Sequence, residues 1–139
     1  MDEIETIKFR EFNLPVLTIG HLKFVNGLPH DLVFDNGYRF KGNPEFAKLI
    51  KAESYFTPKF KVEEIVFGSI EYTKCKETYE LIDQIKKEQK NLRIITSQIT
   101  TNSIKDNIFV SPVITKETER SPPSEKICYM NKWNYNDLD

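Results

Sequence analysis

Cysteine is scarce in this sequence. The two that occur, Cys75 and Cys128, stand far apart without a CxxC companion, so the chain has neither a disulfide framework nor paired thiolates for zinc. Histidine is as rare, with only His21 and His30. A structural zinc site takes four Cys, His or carboxylate ligands, with some paired at short spacing, and nothing here has that pattern; no metal and no cofactor is expected. The five glycines, Gly20, Gly27, Gly37, Gly42 and Gly68, never gather into a GxGxxG or a P-loop that would cradle phosphate. Arginine is confined to Arg10, Arg39, Arg93 and Arg120, which speaks against an anion site built from planar guanidinium forks. Lysine in place of arginine, beside abundant Ile and Asn, is the composition of an AT-rich genome such as that of a low-GC bacterium or its phage.

The chain also lacks a surplus of positive charge. Its formal net charge is −1, whereas wrapping duplex phosphate rests on an excess of Lys and Arg. No apolar run approaches the roughly 18 to 20 residues of a membrane span. The opening MDEIETIKFREF is acidic, unlike the basic and then apolar start of a signal peptide. A soluble cytoplasmic protein with no membrane partner is therefore expected.

Large side chains are plentiful. Ten Phe, six Tyr and one Trp exceed what a disordered chain carries, and 139 residues suffice for one compact domain spanning 1–139. The stretch His21 to Lys41 holds two Asn-Gly pairs, Asn26-Gly27 and Asn36-Gly37, flanked by short apolar runs. Asn and Gly tolerate the positive φ of tight hairpin turns, so a three-stranded antiparallel meander is predicted here. The fold class expected is α+β, a mainly antiparallel sheet built on this N-terminal meander with two helices packed on one face.

Around it, Thr6 to Phe12 alternates as a strand with one wet face, and Val16 to Asn26 reads as an extended run with a bulge at Gly20. Asn43-Pro44 is a helix start, followed by the stripe Phe46, Leu49, Ile50. Lys59 to Tyr72 reads as a long strand bent near Glu63-Glu64 and Gly68, although Val62, Ile65, Val66 and Ile70 also fit a helix. Lys74 to Lys90 is an amphipathic helix with Cys75, Tyr79, Leu81, Ile82 and Ile85 on its apolar side. Leu92 to Ile99 and Asn107 to Thr115 are predicted to form a hairpin. Residues 116–125, which include KETERSPPS, form a surface loop expected to be mobile. Ile127 to Trp133 is a last strand, and the acidic end 136–139 is expected to fray.

Catalytic chemistry finds little support. On a strand, His30 and Asp31 point to opposite faces, which separates the one adjacent His-carboxylate pair. No GxSxG nucleophile turn occurs, and Asp31 and Asp35, which share a strand face, are ordinary residues beside an Asn-Gly turn. An enzyme is not expected. The strongest functional pattern is the alternation of basic and aromatic residues in Tyr38, Arg39, Phe40, Lys41 and in Tyr55, Phe56, Lys59, Phe60, Lys61. Between 38 and 61, Arg39, Lys41, Lys48, Lys51, Lys59 and Lys61 face only Glu45 and Glu53 of opposite sign. Exposed aromatics among lysines stack single-stranded bases, yet a half-buried strand with its aromatics in the core is spelled the same way.

The class expected is a small non-enzymatic protein-binding module: an inhibitor, immunity factor, adaptor or regulatory subunit. Tyr38, Arg39, Lys41, Tyr55, Phe56, Lys59, Lys61 and Trp133 are its candidate contacts with an unidentified protein. The alternative is a single-stranded nucleic-acid-binding protein using segment 38–61, with a small hydrolase or transferase a distant third.

Overall fold

The computed structural model describes residues 5–50, 52–74, 76–104 and 106–135. In chain order, Thr6–Phe9 (β1) and Phe12–Pro15 (β2) pair as a hairpin, with Arg10 at φ 54° in its two-residue turn. Leu17–Ile19 (β3) and Leu22–Asn26 (β4) form a second hairpin across Gly20-His21. Gly20 there has φ 61°, a left-handed value that glycine adopts without steric penalty. The expected bulge at Gly20 is thus a complete turn. A third, minimal hairpin joins Leu32–Val33 (β5) to Arg39–Phe40 (β6) across the Asn36-Gly37 turn, where Gly37 has φ 89°.

Pro44–Ala47 (α1) is a single helical turn, started as its sequence promised: the Asn43 side chain accepts hydrogen bonds from Glu45 N and Phe46 N, both 3.1 Å. Ala52–Val62 (β7) and Ile65–Lys74 (β8) make one long antiparallel hairpin. Lys76–Glu88 (α2) buries Thr78, Leu81, Ile82 and Ile85. Tyr79, placed on the apolar side by sequence, is 49% exposed, and Cys75 lies outside the described residues, as does the segment 136–139. Leu92–Ile95 (β9), Gln98–Ser103 (α3), Phe109–Ile114 (β10) and Cys128–Tyr135 (β11) complete the chain.

The structure is mixed α and β, with most strand pairs antiparallel. Its main sheet has the order β11-β10-β9-β4-β3, and its two central pairings, β4 with β9 and β9 with β10, are parallel. This corrects two sequence expectations. The runs on either side of Asn102 do not form a hairpin, because Ser97 caps α3 by accepting from Thr100 N at 3.2 Å, and a helical crossover is what parallel neighbours require. Nor does β4 pair with β5 in a meander.

At Asn26-Gly27 the residues that resembled a turn serve packing instead. Asn26, only 4% exposed, donates from Nδ2 to the carbonyls of His30 and Phe40 at 3.2 Å and accepts from Leu28 N at 2.9 Å. It staples the β5–β6 hairpin to the end of β4. A Cβ on Gly27 would lie 2.7 Å from Ile95 O and 2.8 Å from Ile94 Cγ2, so this position serves close approach to β9 rather than positive φ.

Parallel strands are buried on both faces, and here neighbouring residues alternate between two clusters. Val25, Ile94 and Phe109 join Phe9, Phe12, Leu14, Phe46, Leu81, Ile82 and Ile85 in the first. Phe46 meets Phe12 edge-on, with ring centroids 5.5 Å apart. Phe24, Ile95 and Val110 join Leu32, Phe34, Phe40 and Cys128 in the second, against which Trp133 packs. Lys86 of α2 donates to Asp106 Oδ2 at 2.9 Å, while Asp106 Oδ1 accepts from Ile108 N, tying α2 to the start of β10.

The segment after β10 turns on Thr118. Its Oγ1 accepts from Ile127 N at 2.9 Å and lies 2.7 Å from the Thr115 hydroxyl, and the short 3₁₀ turn Pro123–Glu125 follows.

Replacing Asn26 by Leu keeps the volume but leaves two carbonyls and an amide without their partner. Loss of about 3 kcal/mol of stability is expected, read as a lower urea midpoint at unchanged slope.

Candidate interaction surface

The β7–β8 hairpin differs from the rest of the molecule in its relation to water. No side chain from 54 to 72 belongs to either core cluster, yet Tyr55, Phe56, Phe60, Val62, Ile65, Val66, Phe67, Ile70 and Tyr72 are all exposed, Phe60 at 60% and Ile70 at 63%. Elsewhere among the described residues the large exposed apolar side chains are Ile19, Tyr79, Ile99 and Tyr135, which are spread over four different elements. Single apolar residues scattered over a protein surface are ordinary, whereas nine large ones gathered on one hairpin are not. Beyond its own two strands, the hairpin touches the body at α3. It is an arm about 30 Å long, from ten residues at the ordinary strand rise.

The arm's register explains a pattern that was ambiguous in the sequence. The strands pair from Ala52↔Lys74 to Val62↔Ile65, closing on Glu63-Glu64 with Glu63 at φ 55°. Glu63-Glu64 is therefore a turn between two strands rather than a bend within one. An irregularity between Pro58 and Phe60 inserts one residue in β7 and exchanges its faces. Below it, Phe56, Ile70 and Tyr72 share one face; above it, Phe60, Val62, Ile65 and Phe67 share the other. Phe60 and Phe67 stack at 5.2 Å with rings 12° apart. Gly68 faces Pro58 across the hairpin, where a Cβ would meet Thr57 O and would lie 2.8 Å from Phe56 Cζ, so only glycine lets the ring lie over the backbone.

Polar contacts on the arm are few. Thr57 Oγ1 donates to Glu71 Oε2 at 2.7 Å, and this hydrogen bond, helped by Lys59 and Tyr55 and opposed by partial desolvation, holds the Glu71 carboxyl below its usual pKa. Between 54 and 72 the charges are Lys59 and Lys61 against Glu63, Glu64 and Glu71. The basic excess read over 38–61 is therefore divided, with Arg39 in β6 and Lys41 just after it, Lys48 at the end of α1, and Lys59 and Lys61 in β7, while Lys51 lies outside the described residues; the arm itself is slightly acidic.

Of the residues singled out by sequence, Tyr55, Phe56, Lys59 and Lys61 come together on the exposed arm. Tyr38, Arg39 and Lys41 lie on or beside β6. There Tyr38 leans on Phe40 with centroids 5.9 Å apart, Phe40 is fully buried, and Arg39 lies 3.8 Å from Asp31 Oδ2. Trp133 stacks on Phe24 at 4.8 Å and donates Nε1–H to Met130 O at 2.9 Å. Sequence reasoning did not include Val62, Ile65, Val66, Phe67 and Ile70 in the surface. Two β-rich runs of equal length about a Glu-Glu pair were the available clue.

A cleft of about 270 Å³ includes His30, Asp31, Ser97 and Lys126 in its lining; His30 and Asp31 both precede β5, so the strand parity expected to separate them does not apply. Several of its polar groups are engaged in structure. Asp31 Oδ1 accepts from Gly42 N at 2.9 Å, His30 Nδ1 lies 3.2 Å from the Asp31 carbonyl, and the Ser97 hydroxyl is used in capping α3. Among the described residues no group of three or more His, Cys, Asp or Glu is arranged to hold a metal, and no helix is long and apolar enough to cross a membrane. Comparison with family models, with curated proteins and with solved structures finds no match for this chain.

Two measurements probe the arm apart from the body. Gly68→Ala is expected to destabilise the hairpin by more than about 1 kcal/mol, since backbone must shift to admit the methyl. Hydrogen exchange should show protection lost in 54–72 while the unfolding transition seen by Trp133 fluorescence stays in place. Because the folded pKa of Glu71 is depressed, its contribution is present above the unfolded value and disappears as pH falls through the folded one. Thr57→Val should move the Glu71 titration, followed by NMR, upward toward the ordinary 4.5.

Proposed function

We propose that this protein is a small non-enzymatic binding module of the inhibitor, adaptor or regulatory-subunit kind, and that it engages another protein through the β7–β8 arm. The observation that carries this reading is the gathering of nine exposed large apolar side chains over the two faces of a hairpin that contributes no residue to either core cluster. Aromatic residues, represented here by Tyr55, Phe56, Phe60, Phe67 and Tyr72, are enriched at protein interfaces. Four of the contacts expected from sequence, Tyr55, Phe56, Lys59 and Lys61, belong to this surface, and Phe60, Val62, Ile65, Phe67 and Ile70 extend it. A cytoplasmic setting accords with the few cysteines and with the buried free thiol of Cys128.

A second reading has its own support. Tyr55, Phe56, Phe60 and Phe67 are exposed beside Lys59 and Lys61, the lettering of a single-strand stacking platform. The acidic balance of the arm weighs against it, because backbone phosphate demands a cationic track.

Substituting Val62, Ile65 and Phe67 together by Thr removes apolar area while keeping strand propensity. Proteins retained by the wild type from nuclease-treated lysate are expected to be lost with this variant. If retention vanishes with nuclease alone, and the purified protein shifts a labelled oligonucleotide with steep salt dependence, the nucleic-acid reading replaces this one.

A further inference from the structure

The two outer edges of the arm are unlike each other. Along β7 the edge is blunted by Pro58, by the irregularity that follows it, and by Lys59 and Lys61. Proline, bulges and lysines are the means by which exposed edge strands are kept from pairing. β8 has none of these between Ile65 and Thr73: no proline, no lysine and a single charge, Glu71. Its irregularity-free backbone is hydrogen-bonded to β7 on one side, and among the described residues no backbone hydrogen bond from 54–72 reaches any other element. One edge is guarded, and the other, although β8 meets α3, carries no such guard.

We infer that the arm's partner is a second copy of this chain, joined edge to edge along β8 so that two arms form one four-stranded antiparallel sheet, β7-β8-β8-β7. This rests on the protein-binding reading of the arm and names its partner. A lone two-stranded hairpin is marginal in water, whereas more strands with a hydrophobic face give independent stability. Pairing about a two-fold axis near Gly68-Ser69-Ile70 supplies both from one sequence.

Charge is also self-complementary in this arrangement, as a two-fold interface requires. Antiparallel pairing about Ser69 sets position 64, a glutamate, opposite position 74, a lysine, at both ends of the β8–β8 seam. The same mixture of signs suits a second copy better than a uniformly charged ligand.

Sedimentation velocity on the full chain across micromolar concentrations tests this. Twice the chain mass is expected, and Ile70→Lys, which places two like charges near the axis, should weaken association by about 100-fold or more with Trp133 emission unchanged. In the wild type, hydrogen exchange should slow with rising concentration in β8 and not in β7, a readout that does not depend on the variant folding. A monomer at every concentration overturns the inference. So does a dimer indifferent to Ile70→Lys, or concentration-dependent protection in β7 rather than β8. A monomeric wild type whose captured foreign protein is lost with the Val62, Ile65 and Phe67 variant leaves the protein-binding reading standing without the second copy. A monomer whose captured proteins are unaffected by that variant removes both.

Discussion

The pairing of β4 with β9 is the constraint around which the chain is arranged. Lys23 lies beside Leu92 and Asn26 beside Ile95, so strands from distant parts of the sequence run parallel at the centre of the sheet. Parallel neighbours cannot be joined by a tight turn, and everything between them must leave the sheet and return. The β5–β6 hairpin, α1, the arm and α2 are all contained in that excursion. Because both faces of β4 and β9 are apolar, the excursion also supplies covers for each: Phe46 and the α2 leucine and isoleucines for one cluster, Leu32, Phe34 and Phe40 for the other.

Against this economy the arm stands out energetically. A buried leucine or phenylalanine contributes roughly 1.5–3 kcal/mol by leaving water, and the body places its aromatics accordingly. Phe9, Phe34, Phe40, Phe46 and Phe109 are all buried. Phe56, Phe60 and Phe67 contribute to cross-strand contacts within the arm but remain about half in water. The proposed association would give this apolar surface a use, and the contrast between the guarded edge of β7 and the unguarded edge of β8 would give that association a direction.

Local chemistry was legible in the sequence, and long-range pairing was not. The Asn43-Pro44 helix start, the hairpin at Asn36-Gly37, the α2 stripe and the final aromatic strand follow from capping, turn and periodicity rules acting over a few residues. Asn26-Gly27 misled because the same two residues answer different needs: Asn26 satisfies carbonyls in the interior, and Gly27 lets β9 come close. Nothing within five residues separates those uses from a turn. The β9–β10 runs misled for a related reason, since alternation reports a strand and is silent on whether its neighbour runs parallel or antiparallel. On the arm, the shifting apolar positions between Phe60 and Tyr72 were visible, but a bulge and a turn were needed to interpret them. Whether Tyr55 or Tyr38 meets water depends on what packs over each strand, and that is a tertiary fact.

The long excursion between β4 and β9 has a consequence for the making of the protein. On a ribosome, β4 is complete long before residue 92 has been added, and contacts of such sequence separation form slowly even in the finished chain. During that interval Phe24 and Val25 have β3 beside them but not β9, and the apolar arm emerges before the helix that follows it. The nascent chain therefore passes through a stage in which both its future core and its outward surface are uncovered together. A holdase that shields extended apolar segments would bear most directly on the yield of this protein at that stage.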